Sequence, residues 1–175
     1  MAVGFYPGSF DPIHRGHEAV IVAAAGVFDE LVVSVGHNRA KPSGLFTPEE
    51  RMALIAGVVA DHPEVRNVTV ASFTGLVTAA AREVGATCLV KGLRSPTDLD
   101  AEMLQANMNA ATGDGITTVF LPGLGDHALV SSRYVREIWA AGGDVTSVVP
   151  EVVARHLDKK RAEEADRGEP NGDTT

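Results

Sequence analysis

The hydrophobic positions of this chain form short apolar runs that alternate with longer segments of helical character. Five runs of four to six mostly apolar residues are typical of strands buried on both faces of a sheet, at residues 3–6, 31–36, 68–71, 88–91 and 117–121. Helices are predicted at residues 17–28, 48–60, 76–84, 97–109, 132–141 and 150–160. Because strands and helices alternate, the pattern predicts an α/β fold: a parallel sheet covered on both faces, with ligands at the carboxyl ends of the strands.

Local signals mark the ends of some of these segments. The second predicted helix begins with Thr47 as N-cap, Pro48 in the first helical position and Glu50 where a capping box needs it. At the other end of the chain, the residues after 161 offer no apolar face to bury. We therefore predict one domain over residues 1–161 and a disordered polar tail over residues 162–175.

Composition narrows the class of protein. The chain has 175 residues, 45% of them hydrophobic and 22% charged, which fits one globular domain with a sizeable core. Its longest apolar stretch, residues 19–28, is half of what a membrane span requires, and the single cysteine, Cys88, allows no internal disulfide. A net charge of -8 argues against a broad nucleic-acid-binding face. We expect a cytoplasmic protein that binds neither membranes nor nucleic acid.

The loop after the first predicted strand has the composition of a phosphate-binding loop. It carries Gly8, Ser9, His14 and His17, and the following helix directs free backbone N–H groups toward the same space. The two histidines could instead share a helical face and hold a metal ion, but the sequence suggests no third ligand, and His14 is predicted to precede the helix. A capping or buried structural role for these histidines is the other alternative.

Further strand ends carry cations and hydroxyl groups. Lys41 follows the second strand, Lys91 and Arg94 end the fourth, and Ser131 and Ser132 follow the fifth. Each has an ordinary explanation, as a solvated strand end or a helix N-cap. Because the carboxyl ends of parallel strands share one edge, together they predict an anion site. The sequence contains no Walker, Gly-x-Gly-x-x-Gly or Gly-x-Ser-x-Gly motif.

These motifs carry a resemblance to a known family. The segment 7–12 with His14-x-Gly16-His17, and Val130-Ser131-Ser132 far downstream, resemble the nucleotidyltransferase superfamily marked by a T/H-x-G-H loop and an I-S-S segment. Segments 38–41, 46–51, 91–94 and 106–109, with Asp98 and Glu102, are similar to bacterial phosphopantetheine adenylyltransferases, and the likeness runs from residue 3 to residue 158.

The resemblance implies a fold and a reaction. The fold would be a single-domain, Rossmann-like nucleotidyltransferase fold with a five-stranded parallel sheet and helices on both faces. The reaction would join ATP and phosphopantetheine to give dephospho-coenzyme A and pyrophosphate, by in-line attack of the acceptor phosphate on the α-phosphorus of ATP. Mg²⁺ would accompany the ATP phosphates and need few protein ligands, and the protein would be a homohexamer.

The resemblance also implies roles for individual residues. The catalytic residues would be His17, Ser9, Lys41 and Arg94. Phosphopantetheine would bind to Ser9, Lys41, Leu76, Val77 and Lys91. ATP would bind to Ser9, Phe10, His14, His17, Gly92, Leu93, Arg94, Glu102, His127, Ala128, Leu129, Val130, Ser131, Ser132 and Arg133.

Four positions depart from the family pattern: His14, Ala101, His127 and Arg133. They cluster on the ATP and pyrophosphate side, where Arg133 is expected to supply charge to the β- or γ-phosphate. One alternative therefore keeps the fold and changes the acceptor to another phosphate monoester, such as a mononucleotide, an interpretation that depends on Arg136 beside the serines. The other alternative is a non-catalytic nucleotide-binding paralogue.

Overall fold

Five parallel strands form the centre of the molecule in the computed structural model, which describes residues 1–37, 44–112, 115–123 and 129–168. The strands are β1 (Val3–Gly8), β2 (Glu30–Gly36), β3 (Val68–Phe73), β4 (Cys88–Leu93) and β5 (Thr117–Pro122), in the spatial order β3-β2-β1-β4-β5. All five predicted strands are confirmed. Most run one or two residues further than predicted, because pairing continues past the apolar run: Pro7 and Gly8 still pair with Ser34 and Val35.

The described helices are α1 (Arg15–Ala25), α2 (Pro48–Ala60), α3 (Val77–Glu83), α4 (Pro96–Thr112), α5 (Ser132–Ala140) and α6 (Glu151–Gly168). Helix α2 has its predicted bounds and its capping box, in which the Glu50 N–H donates to Thr47 Oγ1 at 3.2 Å and the Thr47 N–H donates to the Glu50 carboxylate at 2.7 Å. Helix α1 ends three residues before its predicted end at 28, because Gly26 caps it.

Helix α6 corrects the prediction of a disordered tail over 162–175. It continues to Gly168, so residues 162–168 are helical. Alanine and glutamate favour helix without needing an apolar face, and Lys159 lies 3.8 Å from Glu163 one turn on. A helix already anchored by its first turns can therefore continue into solvent. Residues 169–175 lie outside the described residues.

The sheet is buried on both faces, which explains why its strands are apolar runs. On β2, Val33 and Val35 pack into a cluster with residues of α1, α2, α5 and α6, while Val32 packs into a second cluster with Ala80 and Ala81 of α3. The predicted α/β class with helices on both faces is confirmed. Within the described part of the chain, no helix is long and apolar enough to span a membrane.

Candidate active site

The chain makes a tight turn after β1, and the residues Gly8 and Phe10 account for it. A Cβ at Gly8 would lie 2.7 Å from the Phe10 ring, so only glycine fits there. Phe10 itself has a φ of 48°, which is uncommon for a residue with a side chain, and its ring is buried. The tight turn leaves Ser9 exposed at the carboxyl edge of β1.

Phe10 therefore contributes to the site from beneath. Its ring packs edge-on against His17, with ring centroids 4.9 Å apart, and against Tyr6 at 5.4 Å. The predicted ATP contact at Phe10 would have to come from its backbone, since the side chain is enclosed.

His14 and His17 form a stacked pair at the start of α1. Their ring centroids lie 3.7 Å apart, and each Nδ1 faces the other residue's backbone N–H: His17 N–H donates to His14 Nδ1 at 3.4 Å, and His14 N–H donates to His17 Nδ1 at 3.3 Å. His14 is thus the N-cap of α1, as the capping alternative held. Because each Nδ1 is an acceptor, the proton of each neutral ring is on Nε2, where it can be donated to a ligand.

Burial and neighbouring cations keep this pair neutral. Burial, and then the Arg94 charge, lower the pKa of His14 to about 3. Burial lowers the pKa of His17 well below its usual value, and His14 and Arg94 lower it further. Near pH 7 both rings are therefore neutral hydrogen-bond donors. Burial also raises the pKa of Tyr6, so its phenol keeps its proton.

Cations from β4 face the histidines across a cleft. Lys91 Nζ lies 3.1 Å from Glu102 Oε2 and donates to Gln105 Oε1 at 2.6 Å, so α4 holds the ammonium in place. Arg94 Nε donates to Asp98 Oδ2 at 3.0 Å on the same helix. Between them, Gly92 has no room for a side chain, because a Cβ would lie 2.9 Å from Val20 Cγ2.

The cleft has a volume of about 200 Å³. It brings together many of the predicted site residues on its lining: His14, His17, Lys91, Gly92, Leu93, Arg94, Glu102 and Ser132. Tyr6 and Val20 also line it, and the sequence interpretation did not select them. This cleft lies at the carboxyl ends of β1 and β4, where an α/β sheet is expected to bind ligands.

Other predicted residues lie apart from this cleft. Leu76 and Val77 begin α3 after β3, two strands away from β1 on the side opposite β4, and Leu76 is 72% exposed. Leu129 is exposed before α5. Arg133 is also exposed, and its Nε donates to Glu137 Oε1 at 2.8 Å on the outer side of α5. Lys41, His127 and Ala128 lie outside the described residues.

The two serines at the start of α5 have separate tasks. Ser131 Oγ accepts a hydrogen bond from the Tyr134 N–H at 3.3 Å, which confirms the N-cap interpretation for this residue. Ser132 Oγ donates to the Pro12 carbonyl at 2.9 Å and so ties α5 to the loop after β1.

Arg136 also ties α5 to this loop. Its Nη1 donates to the Asp11 carbonyl and lies 3.7 Å from the Asp11 carboxylate. The alternative acceptor depended on Arg136, and in this structure that side chain is engaged with the protein's own loop.

The sequence interpretation missed the residues that hold the loop from below. Asp11 is buried and accepts hydrogen bonds from the backbone N–H groups of Leu45 at 3.0 Å and Phe46 at 2.9 Å. Arg51 of α2 lies beside it. Both residues stand inside the motifs that carry the family resemblance, but a charged residue on a helix or in a loop gives no sequence signal of burial.

The described residues of the site do not form a metal centre. Among the described residues, no group of three His, Cys, Asp or Glu side chains could hold a metal ion. On the part of the cleft lining that the structure describes, Glu102 is the one carboxylate, and it is paired with Lys91. The metal alternative for His14 and His17 therefore has no third ligand in the described part of the chain.

Comparison with known proteins identifies the family. The cytidylyltransferase-like family model matches residues 5–138. The chain is 45% identical over 156 residues to the phosphopantetheine adenylyltransferase of Nocardioides sp., covering 89% of this chain and 95% of that protein. It is 44% identical over 163 residues to the phosphopantetheine adenylyltransferase of Rhizobium etli, covering 92% and 99%.

A solved structure matches the fold. The Plasmodium falciparum nicotinic acid mononucleotide adenylyltransferase, complexed with NaAD, superimposes with a TM-score of 0.67 at 13% identity, covering 93% of this chain and 97% of that one. At this identity the likeness concerns the fold alone, and it agrees with the five-stranded parallel sheet described above. The extent of the sequence matches goes further: the chain belongs to the phosphopantetheine adenylyltransferases of the cytidylyltransferase-like family.

Proposed function

We propose that this protein transfers the adenylyl group of ATP to phosphopantetheine, forming dephospho-coenzyme A and pyrophosphate in coenzyme A biosynthesis. The observation that carries the proposal is the cleft itself, in a chain related over most of its length to proteins with this name. One wall offers neutral imidazole donors from the start of α1, and the other offers Lys91 of β4 and Arg94, which directly follows β4. This arrangement suits two phosphate groups brought together.

Such a reaction requires positioning more than proton transfer. The acceptor phosphate is already anionic and attacks the α-phosphorus of ATP in line, while pyrophosphate leaves. The His17 Nε2–H would donate to the α-phosphoryl oxygens as charge builds on them, and a neutral donor does so without losing its proton to the substrate. Ser9 would lie between the α-phosphate and the incoming phosphate.

Lys91 in β4 and Arg94 directly after it would offset the negative charge of the phosphates. Lys91 and Lys41 would hold the acceptor phosphate, and Arg94 would bind the ATP phosphates, with Glu102 and Gly92 contacting the nucleotide. Leu76, which is exposed, and Val77, which is half-buried in the first turn of α3, would meet the pantetheine arm. Residues 127–133 would close over the nucleotide, a role in which Arg133 would have to leave Glu137.

Mg²⁺ fits this site as a companion of ATP. The cleft lining is rich in phosphate-binding donors and offers Glu102 as its only described carboxylate, so the ion would be held mainly by phosphate oxygens and water. When bound, it would offset phosphate charge during transfer. Arg94 would bind the same ATP phosphates from the protein side.

The proposal is tested with a panel of acceptors. Pyrophosphate release is measured with ATP and with CTP, each against phosphopantetheine, nicotinate mononucleotide and a phosphorylated alcohol. We expect turnover with ATP and phosphopantetheine to exceed that of every other pair. A preference for the mononucleotide would establish the alternative acceptor, and ATP binding without transfer to any acceptor would establish the non-catalytic alternative.

The variant His17→Ala tests the role of the imidazole. Loss of a donor aimed at a developing oxyanion lowers turnover by about 10²- to 10³-fold, while most ATP contacts remain. We expect kcat to fall far more than ATP affinity measured by titration calorimetry. An equal loss in both quantities would make His17 a binding residue only.

We also propose that the protein acts as a cytoplasmic homohexamer. Helix α4 exposes apolar side chains that no described element covers, and these are Leu99, Met103, Leu104 and Met108. A second copy of the chain is the occupant that the family resemblance implies for such a surface.

A further inference from the structure

Asp11 and Arg51 form a buried ion pair beneath the loop after β1. Arg51 Nε lies 3.3 Å from Asp11 Oδ1, and the two side chains are 7% and 6% exposed. Burying such a pair costs more than it returns unless further hydrogen bonds satisfy both groups. Here they do, since Asp11 also accepts from two backbone N–H groups and Arg51 Nε donates to the Phe46 carbonyl at 2.7 Å.

The same guanidinium reaches Ser9. Arg51 Nη1 donates to the Ser9 carbonyl at 3.2 Å and lies 3.5 Å from Ser9 Oγ, at the long end of hydrogen-bond range. A guanidinium has no acceptor, so Ser9 Oγ must be the acceptor in this contact. The hydroxyl hydrogen of Ser9 is then left to point away from Arg51, toward the exposed side of the loop.

Arg51 cannot serve as a direct phosphate ligand in this arrangement. Its side chain is enclosed, its charge is offset by Asp11, and it is absent from the described lining of the cleft. Any effect of Arg51 on the substrates must therefore pass through the residues that it touches. Among the described contacts of its side chain, Ser9 is the exposed residue. Ser9 is also absent from the described lining of the cleft, but it lies two residues after Pro7, which is part of that lining.

The far side of the loop is held independently. Ser132 and Arg136 of α5 donate to the carbonyls of Pro12 and Asp11. The chain is thus fixed after Ser9 by α5, while the contacts to Ser9 itself come from α2. Asp11 also binds the backbone of Leu45 and Phe46, so one carboxylate joins the Ser9 loop to the chain that follows residues 38–43.

We propose that Arg51, held by Asp11, is a positioning residue that orients the Ser9 hydroxyl as a hydrogen-bond donor to the phosphates of the substrates. This inference deepens the proposed function and rests on it. In this proposal α2 affects the reaction indirectly, through the loop after β1 that carries Ser9.

A double-mutant cycle of Arg51→Lys and Ser9→Ala tests this. Lysine keeps the charge but loses the planar fork that reaches Asp11 and Ser9 together. We expect Arg51→Lys to lower kcat for adenylyl transfer by about 10- to 100-fold, the range that a misplaced reacting group produces. In the Ser9→Ala background the same change should lower kcat by less than about 3-fold, because coupled residues are not additive. An equal fold-loss in both backgrounds would overturn the proposal.

Lys160→Met is the matched control for loss of stability. Lys160 of α6 lies with its Nζ 3.1 Å from Glu50 Oε1 and so stabilises α2, the helix that carries Arg51. Glu50 is adjacent to Arg51 in sequence, and neither Glu50 nor Lys160 is part of the described cleft lining. We expect a lower Tm with unchanged kcat. If Lys160→Met lowers kcat as much as Arg51→Lys does at the same loss of Tm, the effect of Arg51 is structural and the proposal is wrong.

A second variant covers the case in which Arg51→Lys does not fold. Asp11→Asn keeps the volume of the side chain and leaves the hydrogen bond from Arg51 to the Phe46 carbonyl intact. It removes the negative charge that holds the Arg51 guanidinium. It should lower kcat in the Ser9 protein and have little effect in the Ser9→Ala protein. The same effect in both would overturn the proposal.

The cycle also separates this inference from the proposed function. If the unmodified protein transfers nothing to phosphopantetheine, the proposed function fails. The same four proteins are then compared by their Kd for ATP, measured by titration calorimetry. A larger weakening of ATP binding by Arg51→Lys in the Ser9 protein than in the Ser9→Ala protein would still support positioning. Equal weakening would overturn it.

Discussion

His14 has two tasks that sequence inspection treats as alternatives. It caps α1 through Nδ1, a position usually taken by Ser, Thr, Asn or Asp, and it stacks on His17 inside the cleft. The sequence predicted that His14 precedes the helix, and it left open whether His14 caps the helix or contacts a phosphate. It could not predict the stacking of His14 on His17, whose ring packs against Phe10 on the loop after β1.

The low pKa of His14 predicts a loss of stability in acid. Between its unfolded value of 6.5 and about 3, the unfolded chain binds a proton that the folded protein excludes, so the free energy of unfolding decreases as pH falls through this range. We expect His14→Thr, which keeps an N-cap oxygen and cannot ionise, to reduce this decrease in urea unfolding at pH 4 to 6.5. Part of it should remain, since the pKa of His17 is lowered as well.

His62→Gln is the matched control for His14→Thr. A hydrogen bond to Glu18 raises the pKa of His62, although burial opposes it and Glu64 assists. Its contribution is therefore fully present below pH 6.5 and is lost as pH rises through the raised pKa. His62→Gln should not relieve the acid loss. The explanation fails if both variants have the same pH profile.

At the scale of elements, local patterns were sufficient for the strands and for α2. An apolar run of strand length is dictated by burial on both faces, and the signals Thr47, Pro48 and Glu50 act within one turn. The end of α6 was predicted wrongly because helix propensity alone sustains 162–168 after the apolar face has ended. A helix anchored by tertiary contacts can continue where its sequence has nothing left to bury.

The capping box of α2 contributes measurably to the stability of the protein. Thr47→Ala removes the acceptor of the Glu50 N–H, which costs about 1 kcal/mol. For a chain of this length we expect Tm to fall by about 2–4 °C in thermal denaturation. Thr47→Ser keeps the acceptor and should restore most of the loss. An unchanged Tm in Thr47→Ala would show that the box contributes nothing to stability.

At the scale of the whole molecule, α4 is an apolar surface that no described element covers. Leu104 and Met108 lie one turn apart and are 67% and 57% exposed, so they present one apolar face to solvent in a single chain. The same helix holds Lys91 through Glu102 and Gln105. Self-association through α4 would thus adjoin the acceptor side of the cleft.

Glutamate substitutions on α4 test this surface. If copies of the chain meet there, Leu104→Glu and Met108→Glu bury a charge and shift the assembly toward smaller species in sedimentation velocity. Val27→Glu is the control, because Val27 is 62% exposed at the end of α1 and lies outside α4. Unchanged sedimentation in all three variants would place the contact elsewhere.

The sequence by itself determined the order of strands and helices, the parallel sheet and the residue types that meet at the candidate site, because periodicity and turn chemistry depend on near neighbours. Tertiary structure alone decided the partners of those residues. Arg51 lies under Ser9 across 42 positions and Arg136 reaches Asp11 across 125, while Lys91 is held by Gln105 on the next helix. These pairings, and the neutrality of the two histidines, depend on which surfaces pack together and exclude water, and no local pattern records that.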